Sequence, residues 1–150
     1  MPTAVKKESY AALVRRTFDA PREEVFANFT DPGALKRWWI AFEGGSVIDA
    51  RVDLRVGGAW RLVMRDPYGT VTSLGGTYRE VRVPEKLVYT WRWEGDIDVG
   101  ESLVTVEFRA LRSSTEMVIV QELLPSEHQV QFHTWGWNQV LDRLAKLLMR

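Results

Sequence analysis

His133 and Trp137 stand one helical turn apart in "HTWGWNQVLDRLAKLL", and His133 is the polar side chain best suited to chemistry near neutral pH. On a buried helical stripe it could hydrogen-bond a bound molecule or act as a general acid or base. The other reading is a structural histidine satisfied by a side chain or carbonyl of a neighbouring sheet. Gln121 is a second polar candidate. It alternates with Met117, Ile119 and Leu123, which puts it on an inner face unless the opposite register turns Val118 and Val120 inward. Around these two stand soft and aromatic residues: Trp39, Trp60, Met64, Tyr89, Trp91, Trp93 and Trp137. Each alone reads as core packing, whereas the set together with a few polar groups reads as an apolar pocket. The candidate ligand-binding residues are therefore Trp39, Trp60, Met64, Tyr89, Trp91, Gln121, His133 and Trp137. None is assigned a catalytic role, because spacing marks no partner for His133.

Other chemistries find less support. "EGDIDVGE" gathers Glu94, Asp96, Asp98 and Glu101 like the start of a calcium loop, but it lacks the third Asp or Asn and its glycine falls one position early. It reads as a solvated hairpin loop between strands. His128 and His133 are five apart rather than four, and no third zinc ligand is placed by spacing. There is no G-x-S-x-G, P-loop or dinucleotide fingerprint, so no cofactor is expected. The sequon Asn28-Phe29-Thr30 falls inside a predicted helix and reads as chance.

The elements that must position these residues are legible. "AALVRRTF" alternates as a strand, and "DAPREEVFANFTD" predicts a helix with Pro21 in its first turn and Glu23 and Glu24 at the positive end of its dipole. Asp31 caps a second short helix that starts at Pro32. From about 46 to 124 the period becomes two: "VIDARVDLRV", with Val52, Leu54 and Val56 on one side, then "AWRLVMR", "TYREVRV", "KLVYTWRW", "SLVTVEFRAL" and "EMVIVQELL". The connections are short, so neighbours run antiparallel, with bends or bulges expected at Gly57-Gly58 and Gly75-Gly76. A long helix follows, capped by Ser126. On a wheel centred on Trp137, Val130, His133, Val140, Leu141, Leu144 and Leu148 form one wide stripe. Phe132 and Trp135 fall opposite it, which suits packing under the N-terminal tail or self-association as a homodimer.

Composition narrows the class. The chain of 150 residues suits one domain, over 10–150, behind a polar tail at 1–9. Lys plus Arg total 20 and Asp plus Glu total 20, a balance that argues against a nucleic-acid binder. No apolar run has the length of a membrane span, no signal peptide opens the chain, and there is no cysteine, which together fit a cytoplasmic protein without disulfides.

The ordered segments "FDAPREEVFANFTDPGALKRWW", "DLRVGGAWRLVM", "GTYREV", "LVYTWRWEG", "ESLVTVEF" and "HTWGWNQVLDRLAKLL" resemble the START-like (SRPBCC) superfamily. Within it they are similar to the branch named after the C-terminal domain of the heat-shock protein 90 ATPase activator. The resemblance implies an α+β helix-grip fold, a curved antiparallel sheet of six to seven strands wrapped around a long C-terminal helix, with two short helices after the first strand. It implies a cavity between sheet and helix, closed at one end by those short helices. "DPGALKRWW" would then be the corner at that end, one tryptophan inward and the other at the rim, with Lys36 and Arg37 solvated. The implied function is binding of a small apolar or aromatic molecule. The alternatives are a cavity enzyme of the aromatase/cyclase type using His133, or a co-chaperone-like protein-binding module. A binding role ranks ahead of an enzyme because no second catalytic group is named. It ranks ahead of the co-chaperone because that protein uses a further N-terminal domain for which this chain has no space.

Overall fold

The computed structural model describes residues 9–149. Chain order is β1 (Tyr10–Phe18), α1 (Arg22–Thr30), α2 (Pro32–Trp38), β2 (Ser46–Val52), β3 (Ala59–Arg65), β4 (Val71–Arg82), β5 (Lys86–Trp93), β6 (Ser102–Ala110), β7 (Thr115–Leu124) and α3 (Glu127–Leu147). The strands form one antiparallel sheet in the order β1-β7-β6-β5-β4-β3-β2. Strands two to seven meander, and β1 returns to pair with the last of them. This is the α+β helix-grip arrangement: α3 lies against β1 and β7 and also meets α2. Among the described residues no helix is long and apolar enough to cross a membrane. The tail expected at residues 1–9 falls almost wholly outside the described residues.

Caps and stripes explain the helices. The Asp31 carboxylate accepts from the Ala34 N–H at 2.9 Å and starts α2, while the Ser126 hydroxyl accepts from the Gln129 N–H at 3.2 Å and starts α3. Pro21 is the N-terminal cap residue of α1 rather than part of its first turn, and its carbonyl accepts from Glu24 and Val25. Its lack of an N–H costs nothing there. The α3 stripe buries His133, Trp137, Val140, Leu141 and Leu144 against the sheet. On the other flank Asp142 is held by Arg16 of β1, which also donates to the Asn138 carbonyl.

Two strand expectations need correction. The alternation through Leu54 and Val56 does not continue β2, which ends at Val52; both side chains are exposed. The Gly58 N–H bonds back to the Arg55 carbonyl and Gly57 adopts a positive φ of 83°, so the chain turns before those residues can reach the sheet. Leu123 likewise leaves the inner face. It takes a positive φ of 65° and is exposed, while Leu124 is buried in its place. The β1–β7 register slips opposite this point, between Tyr10 and Ala12, and such an extra residue swaps the faces.

Gly76 lies inside β4, where its backbone runs close against β5. A Cβ there would sit 1.9 Å from the Thr90 carbonyl oxygen. The same oxygen accepts from the Trp60 indole at 3.1 Å, and the Thr90 hydroxyl accepts from the Thr77 N–H at 2.8 Å. Only glycine allows that approach.

Candidate functional site

Trp38 and Trp39 divide the work at the end of α2. The Trp38 indole donates to the Asn28 carbonyl at 2.9 Å and its ring packs 4.8 Å from Phe29, locking the corner between the short helices. Trp39 is past the last helical residue, with ψ at 65°, and so escapes the rule that consecutive helix positions diverge. Its ring reaches inward to 5.2 Å from Trp137 and 5.7 Å from Trp91. Trp39, 7% exposed, is the expected inward tryptophan, while Trp38 is fully buried in the corner between the short helices rather than at the cavity rim. Lys36 and Arg37 are exposed, as expected.

Beyond Trp39 lies a cavity of about 140 Å³, open on one side. It is bounded by α3, the inner faces of β3 and β5, and the loop from Ile40 to Gly45. Trp39, Met64, Trp91, His133 and Trp137 line it. Alternation explains how β5 contributes: Tyr89, Trp91 and Trp93 point to one face, and the Trp91 ring stands 5.4 Å from Trp137 and 5.8 Å from Trp93. Trp60 and Tyr89 do not reach this cavity. They line a smaller recess of about 20 Å³ on the far side of Trp39. Burial pushes the phenols of Tyr78 and Tyr89 well above the usual range, so both remain neutral there.

His133 is held at both ring nitrogens. The Trp93 indole N–H donates to Nε2 at 3.0 Å, and Nδ1 is 2.7 Å from the Gln129 carbonyl. An indole nitrogen can only donate and a carbonyl can only accept, so the ring is neutral with its proton on Nδ1. Burial lowers its pKa below the ordinary histidine value, and the Gln129 carbonyl opposes that shift without cancelling it. To act as a base, Nε2 would first have to release Trp93.

Gln121 does face inward, with Met117 and Ile119, and is completely buried. It lines neither cavity. Its Oε1 accepts from the Trp137 indole at 2.9 Å and its Nε2 donates to the Ser102 hydroxyl at 2.9 Å. It therefore holds Trp137 from behind.

Several lining residues escape the sequence reading. Phe132 and Trp135 are partly exposed, at 46% and 42%, yet both edge the cavity mouth. Trp135 packs 5.3 Å from Phe42 of the Ile40–Gly45 loop, and Phe132 packs 6.2 Å from Trp93. A helical wheel places them opposite the stripe, but it says nothing of a loop folding up the helix flank. Charge is confined to the mouth, where Arg65 is exposed and Asp66 accepts from the Tyr68 and Thr70 N–H groups of its turn. In the loop 94–101, Glu94 pairs with Arg61 at 2.8 Å and Asp98 with Arg92 at 2.9 Å, and these bonds hold both carboxyls below their usual range. Among the described residues no cluster of three or more His, Asp or Glu could hold a metal ion.

The family model described as Activator of Hsp90 ATPase homolog 1-like protein matches residues 19–149. Among solved structures, protein CV1439 from Chromobacterium violaceum is 31% identical, with a TM-score of 0.84 over 92% of this chain and 96% of that one. The AHSA1 protein SPO3351 from Silicibacter pomeroyi is 26% identical, with a TM-score of 0.82 over 93% and 97%. Protein NE0264 from Nitrosomonas europaea is also 26% identical, with a TM-score of 0.76 over 92% and 93%. No curated protein matches the chain.

Proposed function

The chain belongs to the Activator of Hsp90 ATPase homolog 1-like protein family of the START-like fold, and from that premise we propose that it binds a small apolar or aromatic molecule in the cavity between its sheet and α3. One observation carries the reading: Trp39, Trp91, Trp93 and Trp137 converge on a space of about 140 Å³ that opens to solvent. An apolar protein cavity of roughly 150 Å³ is large enough to hold benzene. Because this one is open on a side, a second ring has room. Close packing is the rule inside proteins, and a gap of this size beside so much aromatic surface supports an occupant.

Binding without catalysis is the better-supported form. His133 is the histidine of the lining, and both its ring nitrogens are engaged within the protein. A two-ring aromatic burying roughly 200 Å² of apolar surface gains about 5 kcal/mol, from which the cost of immobilising it is subtracted. A longer natural ligand would reach tighter binding through the mouth formed by Phe42 and Trp135.

Native mass spectrometry of protein purified without denaturant, repeated after unfolding, tests the proposal. An extra mass that leaves on unfolding supports it and reports the ligand's class, and the intact mass gives the oligomeric state. A bare chain whose tryptophan fluorescence is unchanged by millimolar quinoline and by a saturated naphthalene solution overturns it.

A further inference from the structure

His133 and Trp93 both line the cavity, and a hydrogen bond couples them. The Trp93 indole donates to Nε2 at 3.0 Å, an arrangement that exists only while that nitrogen carries no proton. A proton on Nε2 sets two N–H groups against each other, because the Gln129 carbonyl keeps Nδ1 a donor as well. One of the two rings must then turn, and either turn changes the wall. The rings packed on His133 are Trp91 and Trp93 of β5 and Phe132 of its own helix, none of them a base. Charged groups on the surrounding elements are engaged or exposed. Arg92 pairs with Asp98, Glu94 with Arg61, and Arg16 of β1 with Asp142. Asp66 at the mouth accepts from N–H groups of its own turn. Arg65 beside it, Lys36 and Arg37 of α2, Glu43 of the Ile40–Gly45 loop, and Glu127 and His128 of α3 are exposed. Burial lowers the pKa of the ring, opposed by the Gln129 carbonyl, and no charged side chain contributes to the shift.

We propose that the Trp93–His133 pair makes occupancy of the cavity depend on pH: the neutral pair holds an apolar occupant, and proton uptake at His133 Nε2 releases it. This rests on the reading of the cavity as a binding site and adds its regulation. Two effects act in the same direction. Protonation breaks the bond that fixes Trp93 in the wall. An occupant also excludes water from that wall, and a cation there loses hydration with no partner to replace it. The coupling is reciprocal, so an occupant in turn makes His133 harder to protonate. The sign follows: affinity is full above the folded-state pKa of His133 and is lost as pH falls through it.

The probe is 2-naphthol, a phenol that stays neutral at about pH 7.5 and below, with naphthalene in its place if the hydroxyl group keeps 2-naphthol out. Its affinity is measured from neutral pH downward, as far as circular dichroism shows the fold intact, for the wild-type protein and for His133→Gln. In the wild-type protein the dissociation constant is expected to rise below the folded-state pKa, approaching about tenfold per pH unit. In His133→Gln, which keeps an acceptor for Trp93 but takes up no proton, it is expected to stay level. By NMR, the His133 imidazole of the wild-type protein is expected to titrate at lower pH with the probe bound than without it. This readout decides the matter if His133→Gln does not fold. A wild-type affinity that stays level wherever the fold persists, a slope shared by His133→Gln, or imidazole titrations that coincide overturn the inference while leaving the cavity a binding site. Failure of both probes to bind at neutral pH overturns the inference, and the binding reading falls with it if quinoline fails too.

Discussion

At the scale of single residues, His133 sets a condition on the molecule's acid stability. Its neutral ring accepts from Trp93, and protonation of Nε2 would set two donors against each other. Burial lowers the folded-state pKa below the ordinary value of 6.5, so in the window beneath that value the unfolded chain binds the proton first. The contribution to stability is therefore complete above the ordinary value and is lost as pH falls toward the folded-state pKa. His133→Gln keeps an acceptor for Trp93 but takes up no proton. From about pH 7.5 to about pH 5.5 the wild-type melting temperature should drop further than that of His133→Gln. Parallel curves for the two proteins would show that the imidazole does not titrate across folding.

Two glycines make the argument at the scale of elements. Gly76 in β4 faces the Thr90 carbonyl, which belongs to the backbone of β5 and cannot swing aside. Gly76→Ala should lower stability by at least about 1–3 kcal/mol through forced separation of the strands. Gly136 in α3 has nothing within 4 Å of where a Cβ would stand. Gly136→Ala should be neutral or stabilising by up to about 1 kcal/mol, since alanine restricts the unfolded chain and favours the helix. The same chemical change thus has opposite signs in the two elements, and urea midpoints read both. A tolerated Gly76→Ala would mean that β4 and β5 do not approach as described.

For the molecule as a whole, Trp137 is the point where separate parts of the chain meet. It touches Trp39 from the end of α2 and Trp91 from β5, and it donates to Gln121 of β7. Trp137→Ala removes a ring that is 2% exposed and leaves the Gln121 carbonyl unpaired. The expected loss is about 3–5 kcal/mol, seen as a large fall in the chemical denaturation midpoint. A midpoint that stays put would show that α3 is not seated on the sheet through this residue. The cavity and the core share this tryptophan, so a variant that empties the junction should lose stability and, on the proposed function, binding together.

Much of this was legible in the sequence because it depends on local rules. Period-two alternation located six consecutive strands, the Asp31 and Ser126 caps located two helix starts, and the wheel centred on Trp137 picked out the buried stripe of α3. The ordered motifs also carried the family, whereas the return of β1 to pair with β7 is contained in no local pattern and came from the tertiary structure. The sequence by itself thus determined the elements, most of their faces and most of the aromatic inventory, Leu54, Val56 and Leu123 being the exceptions on the strands. Tertiary structure alone decided how that inventory was shared: Trp60 and Tyr89 to a side recess, Gln121 to the back of Trp137, and Phe42, Phe132 and Trp135 to the mouth. The physical reason is that a face is a property of a strand or helix, whereas a cavity is what remains after several faces have packed. Whether a buried side chain fills space or borders it depends on neighbours distant in the chain, and so do the acceptors that the Trp93 and Trp137 indoles find.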